Sequence, residues 1–307
     1  MLKTGLLFLL LHCHIVGLNA QQPAVSNGEL RRFPDFPSSF VGARNIDVWL
    51  PSGYSSKKKY AVLYMHDGQM LFDSTVTWNK QEWGVDEAMT KLLNEKKIKD
   101  CIVVGVWNTG TMRHADYFPQ KPFLSLTPEQ QDSIYKATRG NGYTLFASAV
   151  QSDAYLKFLV SELKPFIDKT FSVKTDRANT FIAGSSMGGL ISMYAICEYP
   201  NVFGGAACLS THWPGIFATE NNPIPATFIR YLKNNLPNPS SHKIYFDYGT
   251  AGLDSLYKPF QLQADEVMKA KGYTSINWLS KEFTGEDHSE NAWRKRLNLP
   301  LIFLLKK

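Results

Sequence analysis

The sequence predicts an α/β fold with one mostly parallel central sheet and helices on both faces. Three observations lead there. Short β-forming runs alternate with helix-periodic segments along most of the chain. Several of these runs, at 60–65, 101–107 and 180–183, are almost continuously apolar, as strands buried on both faces must be. The third run passes through Gly184-Ser185-Ser186-Met187-Gly188 directly into a helical stretch at 189–199. At 307 residues, 44% hydrophobic and 20% charged, the chain is long enough to bury a large core.

Taken in order, residues 1–20 read as a secretory signal. Lys3 supplies the positive start, 6–11 is a short apolar core, and Ala20 suits the cleavage position. Residues 21–40, with Pro23, Pro34 and Pro37, read as a linker and entry segment. A single domain follows at 41–307. It begins with an alternating strand at 45–50 and a buried strand at 60–65. A helix at 83–94 has Val85, Ala88, Met89, Leu92 and Leu93 on one face. The strand at 101–107 leads into a polar, aromatic and Gly/Pro-rich excursion at 109–151, expected to border a functional cleft. A helix at 154–171, the strand at 180–183, and a strand at 203–209 come next. Then follow a helix at 225–236, a strand at 243–248, a helix at 258–271 stopped by Gly272, and a strand at 275–283. Residues 290–305 are mostly helical, with Pro300 expected to kink or end them.

The formal charge of +6 is spread over short clusters such as Lys57-Lys58-Lys59 and Arg294-Lys295-Arg296. No long basic tract interleaved with aromatics is present, which argues against nucleic-acid binding. No segment after the signal is long enough to span a membrane. Cys101, Cys197 and Cys208 read as buried small hydrophobes rather than a disulfide framework. No Cys/His cluster has zinc-ligand spacing, so no metal is expected.

The chemistry centres on Ser186. Gly184-Ser185-Ser186-Met187-Gly188 matches G-x-S-x-G, and strand, tight turn and helix are the context in which that motif raises a nucleophilic serine in the α/β-hydrolase fold. The backbone N–H of Met187 then faces a developing oxyanion. His66-Asp67-Gly68-Gln69 follows an early strand, where this fold draws its second oxyanion donor. Gly68 lets the backbone approach the substrate, and the Gln69 N–H is the expected donor. A serine hydroxyl needs a base and the base an orienting acid, in the chain order Ser, Asp/Glu, His. His288 follows the last strand and is the expected base. His212 comes before every plausible acid, and His242 lies at the wrong end of a strand. Asp254, beyond the strand at 243–248, ranks first as the acid. Asp247 lies within that strand, and Glu286 and Asp287 are too close to His288 in sequence for a good bond.

Five stretches carry a resemblance. They are L-Y-M-H-D-G-Q-M-L-F-D at 63–73, E-W-G-V-D-E-A at 82–88, G-S-S-M-G-G at 184–189, Y-F-D-Y-G-T at 245–250, and D-H-S-E-N-A-W-R-K-R-L at 287–297. On these the chain resembles the Putative esterase family of α/β-hydrolases. That family includes esterase D, feruloyl and acetylxylan esterases, and enterochelin-type siderophore esterases. The resemblance implies a serine esterase working through Ser186, Asp254 and His288 with no metal or organic cofactor. It does not fix the substrate.

The expected function is hydrolysis of a small-molecule or oligosaccharide ester by an exported enzyme, first an acetyl or feruloyl ester of plant polysaccharide. A catecholate siderophore trilactone is the second substrate class. A non-catalytic binding protein on the same scaffold, or an acyltransferase, are the alternatives of other classes. Arg113 and His212, with Gly68, are candidate substrate contacts. Trp107 and Trp213 are candidate stacking platforms, with ordinary packing as the alternative; Asp86 is treated likewise. Oligomeric state is not legible.

Overall fold

The computed structural model describes residues 22–139, 142–218 and 220–307. The expected signal at 1–20 lies outside these residues. Eight strands among the described residues form one sheet in the order β1-β2-β4-β3-β5-β6-β7-β8. They are β1 (Glu29–Phe36), β2 (Arg44–Leu50), β3 (Ala61–His66), β4 (Cys101–Val106), β5 (Thr180–Ser185), β6 (Gly205–Leu209), β7 (Lys243–Gly249) and β8 (Trp278–Phe283). β1 pairs with β2, and β2 with β4, antiparallel; β4, β3, β5, β6, β7 and β8 run parallel. The C-terminal ends of the parallel strands therefore share one edge, where ligands bind in open α/β sheets.

The entry segment is a correction. Residues 29–36 are not linker but the edge strand β1, in register with β2 from Glu29 opposite Leu50 to Phe33 opposite Ile46. Its apolar signal is weak because one side faces solvent, and Pro34 is tolerated because an edge strand has unpaired positions.

The central strands are apolar at every position because alternate residues enter different cores. Val62, Tyr64, Ile182, Cys208 and Phe246 join one cluster. Leu63, Met65, Phe181, Ala183 and Leu209 join the other. The first is covered by α5 (Ser152–Phe158), α6 (Lys164–Thr170), α7 (Met187–Glu198), α8 (Ile224–Asn235) and α9 (Lys258–Ala270). The second is covered by α1 (Val85–Asn94), α10 (Glu290–Arg296) and α11 (Asn298–Leu305). Cys101, Cys197 and Cys208 are buried thiols within these layers.

Helix α7 is buried almost all round, from Met187 through Cys197. Such a helix lies in the interior rather than on the surface. This fixes its N-terminus, and with it Ser186, rigidly against the sheet. Two proline effects are also visible. A π-helical turn at Leu159–Leu163 joins α5 to α6, just before Pro165, which has no N–H for the regular ladder. The break in the C-terminal helix falls at Leu297, so Pro300 sits in the first turn of α11, where no N–H is needed.

The excursion is more ordered than its sequence suggests. Its described residues hold three short α-helices, α2 (Arg113–Tyr117), α3 (Gln120–Leu124) and α4 (Pro128–Tyr135). Tyr117, Phe118, Phe123, Ile134 and Phe146 belong to the core. Its aromatics pack in clusters rather than along a stripe, so no period is legible.

Candidate active site

Ser186 stands between β5 and α7 with φ 58° and ψ −122°, a conformation that L-residues rarely adopt. Such strain costs on the order of 1–3 kcal/mol and persists only where the surroundings enforce it. Here Ser186 N–H donates to Leu209 O at 2.9 Å, and Gly189 and Leu190 N–H return to Ser186 O at 3.0 and 3.1 Å. A Cβ on Gly184 would lie 2.8 Å from the Gly188 carbonyl carbon, so the turn closes only around glycine. As the first residue of α7, Met187 has an N–H with no acceptor inside the helix.

The loop after β3 meets this helix end. A Cβ on Gly188 would stand 3.3 Å from His66 Cβ and 3.4 Å from Asp67 Oδ2. Asp67 is left-handed, φ 57°, and caps a single 3-10 turn, Gly68–Met70. A Cβ on Gly68 would lie 2.6 Å from the Gly105 backbone, so only glycine lets this turn settle on β4. Gln69 Oε1 accepts from Asn108 N–H at 3.2 Å, which holds the side chain over β4's continuation and leaves the Gln69 backbone in the turn.

Arg113 anchors that loop. Its Nε and Nη2 fork onto Asp67 Oδ1 and Oδ2 at 2.7 and 2.6 Å, and Asn108 Nδ2 adds a bond to Oδ1 at 2.7 Å. Burial pushes the Asp67 carboxyl up, but the Arg113 charge and bonds hold it below its ordinary value overall. Arg113, expected as a substrate contact, instead has its guanidinium committed to Asp67 in the loop after β3. Arg113→Lys keeps the charge but not the two-pronged fit. We expect kcat on a small aryl ester to fall by about ten-fold or more with KM little changed, since a loosened oxyanion donor is lost mainly from the transition state. Steady-state kinetics on the folded variant checks this.

Asp254 and His288 come together from two other strand ends. Asp254 lies in the 3-10 turn Gly252–Leu256 after β7 and is fully buried. Its Oδ1 is 2.5 Å from His288 Nδ1. Its Oδ2 accepts from Ser210 Oγ at 2.5 Å and from Gly249 N–H at 2.6 Å. Burial alone would raise the carboxyl, but the bonds from His288, Ser210 and Gly249 leave it lowered overall. Asp254 is therefore anionic, and an anion at Nδ1 places the imidazole proton there and leaves Nε2 as the basic nitrogen. Glu286 instead pairs with Lys295 at 3.0 Å, and Asp287 Oδ1 accepts from Ser289 Oγ at 2.6 Å. Neither is bonded to the imidazole.

Gly249 couples the Asp254 and His288 loops. Its N–H binds Asp254, and a Cβ there would lie 2.1 Å from Glu286 O. Gly249→Ala must therefore push the His288 loop away. A displacement near 1 Å costs about a hundred-fold in rate. We expect a kcat loss of that order with the far-ultraviolet circular dichroism spectrum unchanged.

Four supporting residues, Ser210, Trp293, Arg296 and Tyr257, are not evident in the sequence. Ser210 is a hub. Besides donating to Asp254, its Oγ accepts from Trp293 Nε1 and Arg296 Nη2, each at 2.9 Å. Arg296 is buried and also bonds Asp247 Oδ1 at 3.0 Å. Trp293 and Arg296 come from the W-R-K-R-L stretch, whose Arg294 pairs with Glu82 and Glu87 of E-W-G-V-D-E-A. Tyr257 is the fourth. It is fully buried, its ring meets that of His288 at 5.7 Å, and its hydroxyl lies 2.7 Å from His212 Nδ1. Among the described residues no hydrogen bond joins Ser186 Oγ to His288, whose Nδ1 faces Asp254. In free enzymes the nucleophile–base contact commonly tightens only with substrate present.

The remaining candidates divide. His212 is at the site: it is buried, its Nδ1 is 2.7 Å from Tyr257 Oη, and its N–H donates to Ser186 O at 3.2 Å. Trp213 is a correction. It is fully buried, with Nε1 donating to Gln261 Oε1 at 3.0 Å, so no face is open for stacking. Trp107 is half-buried: Nε1 donates to Asp47 Oδ2 at 2.7 Å and the Arg32 guanidinium covers one face of its ring at 4.6 Å. Asp86 accepts from Ser26 N–H and Oγ at 2.7 Å each and ties down the N-terminal segment. No group of three or more His, Cys, Asp or Glu suited to a metal occurs among the described residues. No helix there is long and apolar enough to cross a membrane.

The family model described as Putative esterase matches residues 38–304, nearly the whole described chain. The chain belongs to this family. An Xylanibacter ruminicola protein named endo-1,4-beta-xylanase/feruloyl esterase is 24% identical to this family member over 291 residues, covering 91% of the chain and 31% of that relative. The chain spans about three-fifths or less of the curated relatives it matches. A ferulic acid esterase of Anaeromyces mucronatus, solved with ferulic acid, superimposes with a TM-score of 0.61 at 18% identity, covering 93% of each chain. The enterochelin esterase of Shigella flexneri superimposes with a TM-score of 0.59 at 15% identity, covering 93% of this chain and 59% of that one. At these identities the superpositions establish the α/β-hydrolase fold of the family.

Proposed function

We propose that the chain is a serine carboxylic-ester hydrolase acting through an acyl-enzyme. The observation that carries the reading is the strained Ser186 at the N-terminus of α7, on the same sheet edge as the Asp254–His288 pair. In this reading Ser186 Oγ attacks the ester carbonyl and its proton passes to His288 Nε2. Asp254 holds the ring and balances the imidazolium. The N–H groups of Met187 and Gln69 receive the oxyanion, with Arg113 and Asp67 fixing the Gln69 loop. His288 returns the proton to the departing alcohol. Water then takes the alcohol's place, and the same steps in reverse release the acid.

The substrate class we favour is an acetyl or feruloyl ester of plant polysaccharide. Its support is the Xylanibacter ruminicola relative, whose name joins a xylanase to a feruloyl esterase. A cleft of about 480 Å³, lined in part by Ser38, Phe40, Arg44, Thr109, Met112 and Gln151, opens at the end of β4 on the same edge. Export after cleavage near Ala20 completes the reading, and N-terminal sequencing of the mature protein tests that part.

Hydrolysis of a panel of acetyl-xylo-oligosaccharides, methyl ferulate, feruloylated arabino-oligosaccharides and a catecholate trilactone tests the substrate. We expect kcat/KM highest on a polysaccharide-derived ester. Preference for the trilactone would overturn the substrate class. Acyl transfer to added sugar in excess of hydrolysis would overturn the reaction class.

A further inference from the structure

Behind Asp254 lies a buried network that the acyl-enzyme scheme does not use. Ser210, just after β6, is fully buried and has φ 41°, a left-handed backbone that residues with a side chain rarely adopt. Arg296, on α10, is also buried. Its hydrogen bonds run from Nη2, to Ser210 Oγ at 2.9 Å and to Asp247 Oδ1 at 3.0 Å, while Nε and Nη1 are buried without a partner. A strained serine and an under-bonded interior guanidinium both destabilise the fold. Such features cluster where a functional site enforces them.

We propose that Ser210, set by Arg296 and Trp293, is a positioning residue for Asp254: its one proton pins Asp254 Oδ2 and so keeps Oδ1 for His288 Nδ1. This rests on the serine-hydrolase reading. A serine oxygen has one proton and two lone pairs. Trp293 Nε1 and Arg296 Nη2 can only donate, and both donate to Ser210 Oγ at 2.9 Å. Both lone pairs are then taken. The serine proton is left with one partner, Asp254 Oδ2 at 2.5 Å. Oδ2 also accepts the Gly249 N–H at 2.6 Å. With two donors on Oδ2, the carboxylate cannot turn without breaking both bonds. Oδ1 is therefore held 2.5 Å from His288 Nδ1. The Arg296 guanidinium, 3.9 Å from Oδ2, adds a positive charge that favours the ionised acid.

Ser210→Ala deletes the hydroxyl. Ser210→Gly deletes it and also relieves the left-handed backbone, so one variant stands in if the other does not fold. The probe is p-nitrophenyl acetate at steady state. For both variants we expect kcat to fall roughly ten-fold, the scale of one hydrogen bond to a charged group, with KM changed less than about two-fold. In an Asp254→Asn background the Ser210→Ala loss should vanish, because the serine acts only through that carboxylate. A residue that merely packs would show its loss in both backgrounds. Native kcat in a folded Ser210 variant overturns the proposal, and so does an undiminished loss on top of Asp254→Asn.

A second readout needs no turnover. Burial raises the Asp254 carboxyl, and the bonds from His288, Ser210 and Gly249 bring it below its ordinary value. The groups around it are His288, Arg296, Tyr257, whose N–H donates to Asp254 O at 3.0 Å, and Asp247 on the far side of Ser210. A lowered carboxyl contributes stability above its unfolded pKa, and that contribution is lost as pH falls through the folded value. The Tm gap between native protein and the folded Ser210 variant should therefore be largest near neutrality and narrow below about pH 4. A gap that does not change with pH overturns the proposal. A gap that narrows as expected in a native chain without ester turnover would support the placement of Ser210 and count against the serine-hydrolase reading alone.

Discussion

Ser186→Ala removes ester turnover while the protein stays folded. The expected loss in kcat is on the order of a million-fold, the scale seen when a triad nucleophile is deleted. The size follows from what no neighbour can supply. Ser185 belongs to β5 and is buried, so it cannot substitute from the other side of the turn. Alanine also fits the turn no worse than serine, because the strain lies in the backbone and not in the hydroxyl. Unchanged circular dichroism with residual kcat above about a hundredth of native would point to a different nucleophile.

Asp254→Asn gives the second-largest effect, about ten-thousand-fold in kcat, because an amide at Nδ1 favours the wrong imidazole tautomer. Asp287→Asn and Glu286→Gln should be mild, since those carboxylates pair with Ser289 and Lys295. The same variant has a signature in stability. The Asp254 carboxyl is lowered in the folded chain despite its burial. A lowered carboxyl contributes stability above its unfolded pKa, and that contribution is lost as pH falls through the folded value. The Tm gap between native protein and Asp254→Asn should therefore be largest near neutrality and narrow below about pH 4, where an unfolded aspartate protonates. A gap that widens in acid would contradict the ionised Asp254.

The parts of this site legible in sequence are those that local chain geometry dictates. G-S-S-M-G can close only one kind of turn, so Ser186 and the α7 N-terminus follow from five residues and their flanks. Chain order and strand ends point to Asp254 and His288, and both loops lie at the edge where Ser186 stands. What sequence does not reveal is contact between distant segments. Ser210 reaches Asp254 from 44 residues away, and Arg296 reaches Ser210 from 86 residues away. Neither lies in a pattern with a period. Trp213 follows a strand at the right edge, yet the indole turns inward to Gln261, a direction that spacing alone does not encode. Arg113 looks like an anion receptor until Asp67, 46 residues earlier, is seen to fill its fork. Edge strand β1 escaped because solvent on one side removes the apolar signal by which the inner strands are recognised.

The most direct test of the central claim is intact-protein mass spectrometry after treatment with a fluorophosphonate, followed by peptide mapping. The account predicts one phosphonyl group per chain, on Ser186, and no adduct in Ser186→Ala. An adduct on another residue, or ester turnover by a chain that takes up no label, would contradict it.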